Sequence, residues 1–509
     1  MNIVSFSPFG YEGSLVQVEV DLRRGIPAVD MVGLADGAVK ESRERMRSAI
    51  RNSGFEFPPE RVLISLSPAD LRKEGAGFDL AVAVAVLQEQ AENQSEQKDE
   101  KILVMGELEL NGHVRPVRGI YAAVSTAVEE GIHKCIIPSA NTEEALGIPG
   151  MQVCGADNLQ EAFNALTDAN AFIVKKNQQR LEEKDQVQFA PYADSEDYAL
   201  VQGQQKLLRA LQIAAAGGHN VLAFGPPGCG KTLALQRFYT LLPLLTAQEA
   251  QSVTRIHSIA GLLPPGTTVI RTSPFRQPHQ SASIEGICGG GIHCSPGEIS
   301  LAHNGVLFLD EAAEFKSSVL QMLRVPLETG SITLSRAGRS TAYPSRFQLL
   351  MATNPCPCGA FGSKDKICLC SAKSIEQYWK KFSGPLLDRI DIRIQVETPK
   401  ENAEKSLSTE ELRKDIAKAV YIQRKRQGLR NAQLSRDQIE KYCTCTKEAF
   451  DFLEKTSEAF SFSGRAKSSC LKLARTIADM EGENVISIAH ITEAIDLRKT
   501  EGGLCGEFA

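Results

Sequence analysis

A chain of 509 residues is too long for one ordinary hydrophobic core and predicts about three domains. With 42% hydrophobic residues, 23% charged residues and a net charge of -5, it reads as a globular protein with no global positive potential. Any polyanion site must therefore be local, in a groove or a channel.

No apolar run approaches the ~18 residues that a membrane span needs, so no membrane partner is expected. The opening MNIVSFSPFG lacks the basic and apolar regions of a signal peptide. Thirteen cysteines without an export signal favour a reducing compartment, and the expected location is the cytoplasm.

Residues 1–172 alternate strand and helix patterns. SLVQVEVDL alternates as a half-buried strand does, and AVKESRERMRSAI carries apolar residues at helical spacing. VLISLSP, ILVMGELEL and KCIIP predict further strands, and a polar insert at 88–101 predicts a loop. Residues 173–194 are polar and charged and predict an interdomain linker. A second α/β unit spans 195–400, and 401–509 read as helices almost throughout.

The second unit opens on GPPGCGKT: Gly225, Pro226, Pro227, Gly228, Cys229, Gly230, Lys231 and Thr232. It follows an apolar strand, HNVLAF, and precedes a helical pattern, TLALQRFYTLL, the context a phosphate-binding loop requires. Glycines let backbone N–H groups turn toward phosphate oxygens. Lys231 is predicted to reach the β- and γ-phosphates of ATP, and Thr232 to ligate Mg²⁺. Downstream, GVLFLDEAAEF is an apolar strand ending in Asp310 and Glu311. Asp310 is the expected second holder of the magnesium, and Glu311 the carboxylate that polarises the attacking water.

RFQLLMATNP predicts another apolar strand, ending at Asn354. Cys356 and Cys358 follow at once, and Cys368 and Cys370 nine residues later. Two such pairs closing a short loop suit tetrahedral Zn²⁺, and the metal would brace the loop directly after Asn354. Reduced thiols in a loop and a redox pair are the alternatives, since the one-residue spacing is tighter than the commoner C-x₂-C. Cys443 and Cys445 are a possible outside contribution or simply a helix start.

Together with Arg389 in GPLLDRIDIRI and Arg465 in SGRAKSSCLKLARTIADMEG, this set resembles the AAA+ ATPases, in their magnesium-chelatase-like branch. The similarity is to the ComM/YifB family and runs the length of the chain, through VGLADGAVKESRERMRSAI, SPADLRKEGAGFDLAVAVAVL, GELELNGHVRPVRGI and FRQPHQSASIEGICGGG as well. The resemblance implies a Lon-protease-like α+β domain, an AAA+ α/β core and a helical lid. It implies a homo-hexameric DNA helicase that drives branch migration on single-stranded and branched DNA, alongside recombination proteins, during natural transformation. Asn354 then stands as γ-phosphate sensor, Arg389 as a finger reaching a neighbouring subunit's ATP, and Arg465 as a second sensor closing the lid.

The first domain looks like a Lon peptidase without its chemistry. A Ser–Lys dyad needs both groups. Gly77 stands at the serine position, and Tyr121, Ala122 and Ala123 follow where the lysine is expected. Two insertions are the expected DNA contacts: SPFRQPHQSASIEGICGGG with Arg276 and His279, and a hairpin, GSITLSRAGRSTAYPSRF, with Arg336 and Arg339. A metal-insertion chaperone for porphyrins, an adaptor that uses ATP only to assemble, and an active peptidase are the rival functions.

Overall fold

The computed structural model describes residues 1–33, 37–69, 73, 75–92, 100–174, 186–291, 293–336, 339–361, 366–398 and 406–498. Half of the 88–101 insert and half of the 173–194 linker lie outside these residues. The described end of that linker packs instead of hanging free. Val187 and Phe189 lie against the core of the second unit, and Arg413 sits over the rings of Phe189 (4.9 Å) and Tyr192 (4.7 Å).

The first unit is a seven-stranded mixed sheet ordered Val29–Val32, Arg61–Ser67, Ser14–Arg23, Asn2–Ser7, Lys101–Val104, Lys134–Pro138, Gln152–Ala156. The expected strand ILVMGELEL breaks after Val104: Gly106 donates to the carbonyl of Gly77 (3.0 Å), and Glu107–Leu108 form a separate short strand. One face is covered by helices Gly37–Asn52 and Asp79–Glu92. The second of these is apolar nearly all round from Leu80 to Leu87 and is buried accordingly. Helix Ile120–Glu129 covers the other face. Its buried run Tyr121, Ala122 and Ala123 only packs, and Gly77 lies in a single turn, Ala76–Phe78.

The second unit is a five-stranded, all-parallel sheet ordered Phe275–Arg276, Val306–Leu309, Gln348–Thr353, Val221–Phe224, Ile392–Gln395. Strands Val221–Phe224, Val306–Leu309 and Gln348–Thr353 are buried throughout, as expected of a sheet covered on both faces. One cover is helix Gln205–Gly217, whose core runs without a break into the C-terminal helices Thr409–Arg426 and Gly464–Glu481. The lid is thus fused to the sheet through one shared core. It is also tied by a buried polar knot, in which Arg426, Arg475 and Asn431 all bond Asp479 at 2.7–3.0 Å.

The two units meet along the turn Phe9–Gly13. Arg255 donates to the carbonyl of Tyr11 (3.0 Å) while its guanidinium lies over the Tyr11 ring. The helix expected over TLALQRFYTLL is shorter, running Lys231–Gln236 before tightening into a 3₁₀ turn over Arg237–Leu241.

Candidate functional site

Parallel pairing brings three predicted elements together at one end of the five-stranded sheet. Phe224 is level with Thr353, so the loop Gly225–Thr232 and Asn354 leave neighbouring strands side by side. Leu309 is level with Met351, which sets Asp310 and Glu311 next in line. The Lys231 ammonium, only 6% exposed, donates to the carbonyls of Gly225 (2.6 Å) and Pro226 (2.7 Å) and lies 3.6 Å from the sulfur of Cys229. Burial pulls its pKa down. A buried cation capped only by carbonyls and a thiol suits an incoming polyanion.

Gly228 (φ +82°) and Gly230 (φ +87°) take left-handed backbone, and a Cβ on either would meet only open space. That open space is the cradle of the loop. Thr232 Oγ1 donates to Asp310 Oδ1 at 3.0 Å, pairing two hard oxygens that suit Mg²⁺. Glu311, exposed, sits at φ +48°, a conformation non-glycine residues rarely hold and one concentrated at functional sites.

The four loop cysteines converge. Their sulfurs all lie within 4.8 Å of one another, with Cys356–Cys358 at 3.4 Å, Cys358–Cys368 at 3.6 Å and Cys356–Cys368 at 3.7 Å. The backbone N–H of Ala360 and the neighbouring thiols draw Cys358 down to about 6. Among the described residues this is the one such group of possible metal ligands. Cys443 and Cys445 are not part of it, and burial pushes both thiols up.

Arg389 and Arg465 lie at the opposite end of the sheet. Arg389 precedes strand Ile392–Gln395, and residues just before four of the strands line a cavity of about 550 Å³ with it: Asn220, Gly305, Phe347 and Asp391. Arg465 lines the same cavity. Both guanidiniums bind one carboxylate, Glu328: Arg465 at 2.8 Å and Arg389 in a close contact. The Arg389 hydrogen bond, then its charge and that of Arg465, holds Glu328 below the usual range. Arg465, expected as the sensor that closes the lid on nucleotide, stands at the start of helix Gly464–Glu481, in the same cavity as Arg389.

The expected DNA contacts divide. Arg336 and Arg339 face each other at the end of hairpin Ser331–Arg336/Arg339–Pro344. Arg336 is exposed, whereas the Arg339 guanidinium lies 3.5 Å from the centre of the Phe9 ring of the first unit. Thr341 on the same strand accepts from the backbone N–H of Tyr11 at 3.2 Å. His279 is exposed, with Nδ1 2.7 Å from Ser281 Oγ. Arg276 lies on an edge strand, half-buried, and donates twice to Glu298 (2.7 and 2.8 Å).

Sequence reasoning missed Gln204, Glu328 and Trp379. Gln204, buried, donates to the carbonyls of Cys229 (2.9 Å) and Glu397 (2.8 Å), tying the phosphate loop to the end of the outer strand. Trp379, the sole tryptophan, donates from Nε1 to Pro355 O (3.1 Å) and packs edge-on against Phe224. Only the tryptophan's uniqueness could have drawn notice.

Comparisons with known proteins cover nearly the whole chain. Residues 197–404 match the family described as magnesium chelatase, subunit ChlI; residues 18–141 match subunit ChlI of Mg-chelatase; residues 406–498 match the magnesium chelatase ChlI C-terminal family. The uncharacterized protein YifB of Escherichia coli is 39% identical over 495 residues, covering 96% of this chain and 95% of that one. Competence protein ComM of Haemophilus influenzae is 37% identical over 514 residues, covering 97% of each. The magnesium-chelatase 38 kDa subunit of Rhodobacter capsulatus is 26% identical over 176 residues, 31% of this chain and 50% of that subunit.

Proposed function

Because the chain belongs to the magnesium-chelatase-like family in which YifB and ComM match it end to end, we propose that it is an ATP-hydrolysing, ring-forming DNA motor that promotes branch migration during uptake of single-stranded DNA. The observation that carries this reading is the two-ended sheet. Lys231, Thr232, Asp310 and Glu311 stand at one end, and Arg389 and Arg465 at the other. An arginine at the far end serves a triphosphate only if a neighbouring copy presents its own loop to it. Such a seam, repeated, closes a ring.

In each seam Lys231 and the N–H groups of Gly228–Thr232 hold the β- and γ-phosphates. Thr232 and Asp310 are the residues that would hold Mg²⁺, and the ion, when bound, would supply charge neutralisation for phosphoryl transfer. Glu311 orients the attacking water, and Asn354 senses the γ-phosphate. Arg389 and Arg465 of the next copy leave Glu328 to complete the site. Releasing a surface carboxylate costs about 1 kcal/mol. An arginine on the transition state is worth roughly 10³ to 10⁵ in rate, or about 4–7 kcal/mol. Assembly wins.

The hairpin carrying Arg336 contacts the DNA backbone in the channel, and the contact carries no base information. The first unit, without a Ser–Lys pair, serves as scaffold: its Phe9–Tyr11 turn holds the hairpin through Arg339 and Thr341. Cys356, Cys358, Cys368 and Cys370 form a zinc staple. The magnesium-chelatase 38 kDa subunit aligns with 31% of the chain at 26% identity, whereas ComM aligns with 97% of it at 37%.

The test is ATPase activity of the wild type and Lys231→Ala, with and without single-stranded and forked DNA. Stimulation of the wild type alone by either DNA is expected. Turnover indifferent to both forms of DNA removes the motor reading, and metal insertion into a porphyrin without strand displacement replaces it with the chelatase one.

A further inference from the structure

The cysteine cluster is built into the nucleotide site. Tetrahedral zinc thiolates at ~2.3 Å from the metal set sulfur–sulfur separations of about 3.8 Å, and the three separations here are 3.4, 3.6 and 3.7 Å. A disulfide needs about 2.05 Å, and all four thiols are free. Cys356 is fully buried among the residues of the sheet's second face, and its sulfur accepts the backbone N–H of Phe361 at 3.4 Å, an outer-shell bond that suits a thiolate. Cys368 and Cys370 alternate with Ile367 and Leu369, which are 88% and 89% exposed. The period-two alternation turns both sulfurs inward and both apolar chains outward.

The loop that holds these sulfurs touches both halves of the phosphate machinery. Cys356 stands two residues after Asn354. Its carbonyl closes a turn onto the N–H of Gly359 at 3.0 Å. Gly359 is left-handed (φ +74°), and a Cβ there would lie 2.9 Å from Pro227 Cδ in the phosphate loop and 3.9 Å from Asn354 Cγ. Pro355, between sensor and cluster, is pinned by Trp379, which packs on Phe224, the last residue of the strand feeding the loop. Pro227 and Asn354 therefore rest on a turn whose shape depends on what draws four sulfurs together.

We propose that Cys356, Cys358, Cys368 and Cys370 bind one Zn²⁺, and that this metal holds Pro227 and Asn354 in place, so that ATP binding is thermodynamically coupled to metal occupancy. The coupling rests on the ATPase reading above; the metal site does not. Coupling between sites is reciprocal: whatever factor zinc lends to ATP affinity, nucleotide lends to zinc affinity.

The experiment uses the full-length protein. Elemental analysis is expected to find one zinc per chain, and growth with cobalt to give the intense sulfur-to-Co²⁺ charge-transfer bands of a four-thiolate site. Removing zinc with a chelator, followed by dialysis and return of Mg²⁺, should shift the emission of Trp379, the single reporter on Pro355, and weaken binding of a fluorescent ATP analogue by about tenfold or more. Cys368→Ser, on the outer part of the loop, should lower zinc content and nucleotide affinity together, and Ile367→Ser should change neither.

A wild type without stoichiometric metal overturns the site. Full zinc release with nucleotide affinity and Trp379 emission both unchanged overturns the coupling. A protein that carries its zinc and shifts its tryptophan emission on zinc release, yet neither binds nor hydrolyses ATP, overturns the ATPase reading and with it the coupling, while the metal site stands.

Discussion

Mixing two dead variants distinguishes an arginine that acts on its own chain's nucleotide from one that acts on a neighbour's. Lys231→Ala removes the phosphate grip and leaves Arg389; Arg389→Ala does the reverse. Ile392 pairs with Val221 and Gln395 with Phe224, so Arg389 and the phosphate loop are separated by the full strand. Four residues of parallel strand span about 13 Å, further than an arginine side chain reaches. Each variant alone should lose roughly 10³-fold or more in turnover. In a one-to-one mixture, about a quarter of the seams pair an intact loop with an intact Arg389 by random assortment, each regaining the full arginine effect. Steady-state ATPase, measured after subunit exchange and across mixing ratios, should rise from near zero to a maximum at equal parts. A mixture as silent as its components, from subunits shown to exchange, would falsify the trans arrangement.

Glu311→Gln should bind nucleotide normally and lower turnover by roughly 10²-fold or more, read by equilibrium binding against single-turnover hydrolysis. Asp391 contributes to the acid limb of stability: burial opposes its charge, but His219 (3.5 Å), Ser469 and Arg498 overcome this and hold it down to about 2. That value lies below the ~3.9 of an unfolded aspartate, so its stabilisation is complete above about pH 4 and lost as the pH falls through about 2. Asp391→Asn should cost about 2 kcal/mol at neutral pH and flatten the fall in urea midpoint between pH 4 and 2; an unchanged acid limb refutes the assignment. Arg336→Ala should weaken single-strand binding alike for all sequences and reduce the salt slope by about 0.7 for each phosphate it no longer neutralises. Phe9→Ala should leave that slope intact and cost about 1 kcal/mol from the ring face under Arg339, read by thermal unfolding.

Much of the fold was legible because its signals are local. Buried strands such as GVLFLDEAAEF and RFQLLMATNP declare themselves as apolar runs ended by polar residues. In several places a neighbour decides what the local pattern leaves open. Strand ILVMGELEL stops at Val104, and Gly106 turns its N–H to the carbonyl of Gly77 instead of continuing the sheet. Arg276 pairs with Glu298, 22 residues away, and the Arg339 guanidinium rests on Phe9.

The proposed phosphate loop was legible in the chain alone, since a backbone that turns N–H groups toward one anion must be contiguous: glycines, lysine and threonine stand within eight residues. So was the closeness of four thiols along the chain. It took the folded molecule to show that Glu328 gathers Arg389 and Arg465 from 61 and 137 residues away, and that Gly359 rests on Pro227. Those contacts are set by strand order in the parallel sheet and by which end of each strand a residue occupies. Neither leaves a pattern in the sequence, because burial and hydrogen bonding constrain the composition of a strand far more than they constrain which strand lies next to it.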